Sequence, residues 1–247
     1  MPSPAFIIAT VVGIVPALIG LFYVLRGFTG GFDDRKLFIA FAVGLILGIM
    51  SFAFHIFIDP VIFPPSPLGW LIYVAGFAFL DNIMIFVVLN YKWMRGMPEA
   101  PFYGVSLGIA FSATATMALV YRLLSAYPEL TADAAGMLAL VSTAGVAAVM
   151  LRAATGAFIG VGSARSEPWP WFGRAVMTQM PFGTLFMLLY YAGPYFDLLF
   201  SIPILAAIVG YSYWLLNYVR RTSLPESLPG QVKRKIRRER RKGLRKR

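Results

Sequence analysis

The chain has 247 residues, of which 59% are hydrophobic and only 13% are charged, a composition that excludes an ordinary soluble domain. Its formal net charge of +11 is unevenly placed, because 13 of the 22 basic residues lie in residues 220–247. The sequence contains no cysteine, which excludes disulfides, thiolate metal sites and a cysteine nucleophile. We therefore predict a membrane domain over residues 1–219 and a basic tail over residues 220–247.

Apolar runs of about 20 residues, the length that crosses a hydrocarbon core of roughly 30 Å, recur along the membrane domain. They predict an all-α, polytopic transmembrane bundle of seven helices. No removable signal peptide is expected, since no basic segment precedes the first run. The predicted helices cover Pro4–Leu25, Leu37–Ile58, Leu68–Asn90, Phe102–Leu124, Gly136–Val161, Arg174–Ala192 and Tyr195–Val219.

The basic residues alternate from loop to loop. They follow predicted helices one, three and five and are absent after helices two and six, while Arg122 and Arg152 lie apart from this pattern. Because cytoplasmic loops are enriched in Lys and Arg, the N-terminus is expected outside and the C-terminus in the cytoplasm. The predicted location is the cytoplasmic membrane.

Pairs of glycines four residues apart predict where helices pack closely, since small residues allow backbones to approach each other in lipid. Gly44 with Gly48, Gly104 with Gly108, and Gly156 with Gly160 mark helices two, four and five. Three prolines, Pro16, Pro181 and Pro203, lie inside predicted helices one, six and seven, where kinks are expected.

Asp81 and Arg152 are the two charges expected within the membrane. At about 1.5 Å per residue, Asp81 lies roughly 20 Å and Arg152 about 24 Å below the outer ends of helices three and five. A buried charge in a membrane is costly and is a functional-site hypothesis by default. The simplest interpretation is an ion pair that neutralises itself and joins the two helices.

Two other interpretations of these charges remain open. Arg152 could face lipid and extend its guanidinium to the interface. Alternatively, a polar cavity open to the cytoplasm could serve a small-solute transporter or channel. Its predicted lining is Asp81, Asn82, Ser112, Thr114, Thr116, Arg152, Thr155 and Gln179.

His55 is the single histidine, and Asp59 follows it one helical turn later. One imidazole and one carboxylate fall short of the three or four ligands of a zinc site, so an interfacial hydrogen-bonded pair is favoured over a metal site. No Ser-His-Asp or Cys-His arrangement can be assembled from this sequence. We therefore predict no catalytic residue, metal or cofactor.

The tail is the densest charge feature of the chain. A block of basic residues beside a membrane is attracted to anionic headgroups, and RNA, including ribosomal RNA, is the alternative partner. The tail lacks aromatic residues that could stack on bases. Its basic residues after position 230 are Lys233, Arg234, Lys235, Arg237, Arg238, Arg240, Arg241, Lys242, Arg245, Lys246 and Arg247.

The stretch Leu68–Tyr121 resembles the middle of PrsW-type intramembrane metalloproteases, which are related to the CAAX-prenyl proteases. In that family a helix with a Glu-Glu-x-x-x-Lys-like motif leads into a Tyr-Gly and then a Gly-x-Gly-Phe-Ala-x-x-Glu-Asn helix. The corresponding segments here are Phe79-Leu-Asp-Asn-Ile-Met84 and the run from Phe102 to Tyr121. Arg152 and the glycine-rich segment 156–165 also resemble later parts of the family.

The departures from this family concern its metal ligands. This chain has Leu80-Asp81 or Asp81-Asn82 in place of the paired glutamates and Ala115-Thr116 in place of the Glu-Asn, and neither family histidine has a counterpart. Without those ligands no residue set remains to hold zinc and activate water. The resemblance therefore implies a derivative without protease chemistry, in which Asp81 is the last acidic remnant of the site.

These observations favour a non-catalytic integral membrane scaffold or accessory subunit. Its partners would be the lipid bilayer, anionic lipid or an anionic macromolecule at the tail, and other membrane subunits. The alternatives are a small-solute transporter or channel at Asp81 and Arg152, a ribosome- or RNA-binding membrane protein, and a divergent intramembrane protease.

Overall fold

The computed structural model describes residues 3–28, 30–62, 67–126, 132–192 and 198–228. Within these ranges the chain is all-α, with seven long helices, one short helix and no strand. The helices are α1 (Pro4–Leu25), α2 (Asp34–Ile62), α3 (Pro67–Leu89), α4 (Ala100–Ala126), α5 (Ala132–Ala164), α6 (Pro168–Ala192), α7 (Leu198–Arg221) and α8 (Ser223–Ser227).

Six of the long helices in the described ranges are long and apolar enough to cross a membrane, and these are α1 to α5 and α7. The chain is therefore a multi-pass membrane protein. The predicted seventh crossing is α6, which forms a helix of 25 residues but is not among the six. Its first half contains Arg174 and Gln179, which lower its mean hydropathy.

The predicted helix boundaries are confirmed closely for α1 and less closely elsewhere. Helix α6 begins at Pro168 rather than at Arg174, because the prolines that indicated a loop lie in its first turn, where a helix needs no backbone donor. Helices α2 and α5 extend beyond their predicted ends. Pro16, Pro181 and Pro203 lie inside helices as predicted.

Successive long helices run in opposite directions, so their ends form two sets. At one end Arg220 donates to the Arg26 carbonyl at 3.5 Å, and the Gly96 amide donates to the Ser163 carbonyl at 3.1 Å. We call this the basic end, because every described Lys and Arg except Arg122 and Arg152 lies there. The opposite end contains the C-terminal ends of α2, α4 and α6.

Helices α4 and α5 form the centre of the bundle. Helix α4 packs against α1, α2 and α5, whereas α5 also contacts α6 and α7. The faces of α1 and α2 away from α4 expose large apolar side chains such as Phe22 and Phe57, which are suited to lipid. Helix α3 packs chiefly against α6 and makes fewer contacts with α2, α4 and α5.

The predicted glycine contacts are confirmed. A Cβ at Gly104 would overlap the Gly156 carbonyl, and one at Gly108 would overlap the Arg152 carbonyl. Gly44 and Gly48 lie equally close to the backbone of α4. These contacts hold α4 against α5 and α2, and the contact at Gly108 fixes the position of Arg152 along α5.

Candidate functional site

Asp81 and Arg152 form a direct ion pair between α3 and α5, as the sequence predicts. The Asp81 side chain is 4% exposed and that of Arg152 is 10% exposed, so both charges are removed from solvent. The Arg152 guanidinium also lies over the Phe111 ring of α4, 4.9 Å from its centroid. The predicted pairing is confirmed, and extension of Arg152 to the lipid interface is excluded.

Further hydrogen bonds extend this pair to four helices. Ser51 of α2 donates to Asp81 Oδ1 at 2.6 Å, and Gln179 of α6 donates through Nε2 to Asp81 Oδ2 at 3.3 Å. Gln179 Oε1 accepts from Arg152 Nη1 at 2.7 Å and from Asn82 Nδ2 at 2.6 Å. Each Asp81 oxygen therefore has a donor, which makes burial of the carboxylate tolerable.

Asn82 belongs to the same hydrogen-bond network. Its side chain is fully buried, and its Nδ2 also donates to the Ala78 carbonyl one turn earlier at 2.7 Å. Its Oδ1 has no hydrogen-bond donor among the described residues. Asn82 therefore orients Gln179, which in turn contacts both members of the ion pair.

A cavity of about 230 Å³ lies between α2, α3, α4, α5 and α6. It lies on the side of this network away from the basic end, a direction that we call above. The ion pair, Gln179 and Ser51 contribute to its floor. Among the predicted cavity residues, Asp81, Ser112, Thr116, Arg152 and Gln179 line it, whereas Asn82, Thr114 and Thr155 do not. Thr114 instead donates to the Leu45 carbonyl of α2 at 2.9 Å, and Thr155 to the Arg152 carbonyl at 3.4 Å.

The direction of the cavity differs from the expectation. On α3 the lining residues run from Asp81 back to Tyr73, and on α4 from Phe111 forward to Arg122. Both directions lead to the opposite end of the bundle, away from the basic end. The cavity therefore extends away from the end that the sequence predicts to be cytoplasmic, because α4 and α5 meet closely at Gly104 and Gly156 on the other side of the ion pair. The opening to the cytoplasm stays a prediction.

The walls of the cavity are mainly apolar. They include Phe77 of α3, Phe111 of α4, Leu151 of α5 and Phe182 of α6. A molecule in this space would meet hydrogen-bonding groups at the floor and aromatic or aliphatic surface along its length. This combination is typical of small-molecule sites, in which a few polar groups orient an otherwise apolar ligand.

His55 lies near the upper part of this cavity. Its ring stacks on Phe77 with centroids 3.7 Å apart, and its Nδ1 is 3.4 Å from the Tyr73 hydroxyl. The side chain of its predicted partner, Asp59, lies outside the described residues. In the described part of the chain, no group of three or more His, Cys, Asp or Glu side chains could hold a metal ion.

Sequence reasoning missed three contributions to the site. Ser51 is a hydroxyl residue inside a long apolar run, which is a weak signal that could have marked it. Phe111 and the cavity-lining position of His55 had no such signal, because aromatic residues are frequent throughout the chain. The tail residues 229–247 lie outside the described residues.

The chain matches no protein-family model, no curated protein and no solved structure. The resemblance to PrsW-type proteases therefore stays a prediction.

Proposed function

We propose that this protein is a non-catalytic transporter for a small solute, which binds in the cavity above Asp81 and Arg152. The observation that supports this proposal is that the cavity ends on a buried ion pair. An ion pair that served only to join α3 and α5 would need no cavity above it. A solute with a polar group at one end and an apolar body fits the polar floor and the aromatic walls.

The packing of α3 supports transport over simple binding. Helix α3 packs chiefly on α6, while its links to the rest of the bundle include the hydrogen bonds from Ser51 and Arg152 to Asp81. Movement of α3 and α6 relative to α4 would narrow the present cavity and loosen the floor. Such a movement gives alternating access to one site, as in transporters whose helix bundles rock against each other.

Thiol labelling tests whether the cavity admits water. The chain has no cysteine, so a thiol reagent can label only the single cysteine that is introduced. Ala115 lines the cavity, and Ala115→Cys in reconstituted vesicles should react with a membrane-impermeant thiol reagent. Ser106 is fully buried on the same helix nearer the basic end, and Ser106→Cys is the matched control that should stay unmodified.

The labelling result also determines the side from which the site is reached. Reaction of the Ala115→Cys variant from one side of the membrane only would support a one-ended cavity. Absence of reaction from both sides would mean that the cavity is closed to water, and this outcome would contradict a transport function.

The scaffold hypothesis is kept as a second candidate because of how the chain leaves the bundle. Helix α8 packs against α5 and α7, with Leu224 and Leu228 buried. Arg165 Nη2 pairs with Glu226 Oε2 at 3.0 Å. The basic tail thus starts at the basic end, where we propose that it binds anionic lipid or an anionic macromolecule on the cytoplasmic face.

Sedimentation separates the possible partners of the tail. The full chain and a chain that lacks residues 229–247 would each be mixed with anionic liposomes and with ribosomes. Loss of liposome binding on truncation supports lipid, and loss of ribosome binding supports RNA. Equal sedimentation of both chains would contradict any binding role of the tail.

A further inference from the structure

A second cavity lies at the basic end, on the surface between α6 and α7. Its volume is about 380 Å³, and we call it the Arg174 groove after the cation at its edge nearest the basic end. The Arg174 groove is separate from the cavity above Asp81, with which it shares no lining residue. Its lining includes Arg174, Met177 and Thr178 from α6 and Tyr211, Trp214 and Tyr218 from α7.

Aromatic rings hold the Arg174 guanidinium in place. It lies 4.6 Å from the ring centroid of Phe158, 5.1 Å from that of Trp171 and 5.6 Å from that of Tyr218. Its Nη2 donates to the Tyr218 hydroxyl at 3.1 Å. Cation–π contacts of this kind orient a guanidinium without neutralising its charge.

Arg174 has no carboxylate within salt-bridge distance among the described residues, unlike Arg152 and Arg165. Arginine carries five N–H donors, and a single one of those on Arg174 has a protein acceptor in the described part of the chain. The remaining donors are available to an anion. A phosphate fits these donors, because two parallel N–H groups of a guanidinium bind two phosphate oxygens.

The Arg174 groove continues from this cation along the exposed surface of α6 and α7. Tyr211, Trp214 and Tyr218 form a ladder of rings along α7, with successive centroids 6.3 Å and 6.1 Å apart. Met177 is 69% exposed and Trp214 is 59% exposed, so no described residue covers this surface. From Tyr218 to Tyr211 the ladder extends about 10 Å into the bundle at 1.5 Å per residue.

We propose that the Arg174 groove binds one anionic phospholipid of the leaflet at the basic end, with the phosphate at Arg174 and an acyl chain along Met177 and Trp214. A soluble phosphate compound would use the cation but leave the apolar ladder uncovered. A zwitterionic lipid would cover the ladder but carry a competing positive charge at the guanidinium. Basic pockets between membrane helices are known sites for acidic headgroups.

Native mass spectrometry of the full chain in neutral detergent tests this proposal with phosphatidylglycerol, phosphatidylcholine and glycerol 3-phosphate as probes. We expect phosphatidylglycerol to bind more tightly than phosphatidylcholine and glycerol 3-phosphate to show no binding. Arg174→Gln should weaken phosphatidylglycerol binding by roughly five-fold or more, since a charge-assisted contact is lost. Arg95→Gln removes the same charge from an exposed turn at the same end and should leave the affinity unchanged.

Equal phosphatidylglycerol affinity of the Arg174→Gln and Arg95→Gln variants would overturn the proposal, as would binding of glycerol 3-phosphate alone at the lipid's affinity. A second measurement avoids any folding defect of the variant. Phosphatidylglycerol with a photoreactive acyl chain, added to the unaltered protein, should crosslink to peptides that contain Met177 or Trp214. Crosslinks confined to other helices would contradict the proposed position.

Discussion

Asp81 and Arg152 show how two buried charges, each unfavourable alone, become tolerable when they neutralise each other. The carboxylate accepts hydrogen bonds from Ser51, Arg152 and Gln179, and the guanidinium is also supported by the Phe111 ring. An isolated charge at this depth would be unfavourable by several kcal/mol. The pair is therefore stable only as a unit, and the removal of one member leaves the other charge buried.

The pair predicts a strongly non-additive result. Asp81→Leu and Arg152→Met should each lower the free energy of unfolding by about 3–5 kcal/mol, because each leaves one uncompensated buried charge. The double variant should be much less destabilised than the sum, since neither charge remains. Unfolding in detergent with increasing denaturant measures all three variants.

Arg122→Met is the matched control for this cycle. Arg122 is exposed, so its loss should change the free energy of unfolding by about 0.5 kcal/mol or less. Additive effects of the two substitutions would show that the charges do not stabilise each other.

At the scale of the helix, glycine determines how closely α4 approaches its neighbours. Gly104 and Gly156 lie against each other's backbone carbonyls, and Gly44 lies against the Leu107 carbonyl. Without a hydrophobic force between helices in lipid, this close contact supplies the packing energy. It also closes the bundle on the side of the ion pair that faces the basic end, so the cavity above Asp81 does not extend there.

The effect of a glycine substitution on the free energy of unfolding should therefore depend on its position. Gly104→Ala places a methyl group against a backbone carbonyl that cannot move independently, and a loss of about 1–3 kcal/mol in the free energy of unfolding is expected. Gly76→Ala is the control, because a Cβ there meets no atom within 4 Å. There alanine should be neutral or stabilise the helix by up to about 1 kcal/mol. Thermal unfolding in detergent compares the two variants.

If the Gly104→Ala and Gly76→Ala variants unfolded at the same temperature, the close approach of α4 and α5 would not contribute to stability.

At the scale of the whole molecule, charge separates the two ends of the bundle. All described basic residues except Arg122 and Arg152 lie at the basic end, where α8 and Glu226 also lie. Cytoplasmic loops are enriched in Lys and Arg, which favours the basic end as the cytoplasmic one. The cavity above Asp81 would then open to the outside.

This orientation predicts opposite locations for the two termini. A fluorescent protein fused after Arg247 should fold and fluoresce, because it stays in the cytoplasm, and alkaline phosphatase at the same position should be inactive. A protease-sensitive tag before the first helix should be cleaved from outside in intact cells. Cleavage of the tag only after lysis would place the N-terminus inside and contradict the proposed orientation.

The sequence alone determined the helical class and most of the helices, and it favoured the pairing of Asp81 with Arg152 over two other interpretations. The length of each helix and the depth of each charge are distances along a helix axis, and the fixed rise per residue allows them to be calculated from residue numbers. The close helix contacts could also be predicted from the glycine pairs, because such a contact needs only the absence of a side chain. The helices and the glycine positions required no knowledge of which helix is adjacent to which, whereas the ion pair assumed that helices three and five are neighbours.

Only the tertiary structure decided which helices surround the pair and where space is left between them. Ser51 and Gln179 reach Asp81 from α2 and α6, and the cavity lies on the side of the pair away from the basic end. Residue spacing gives the depth of a side chain but neither the rotation of its helix in the bundle nor its neighbours. Those follow from the packing of all helices together, which is why the pair could be predicted from depth but the extent and direction of its cavity could not.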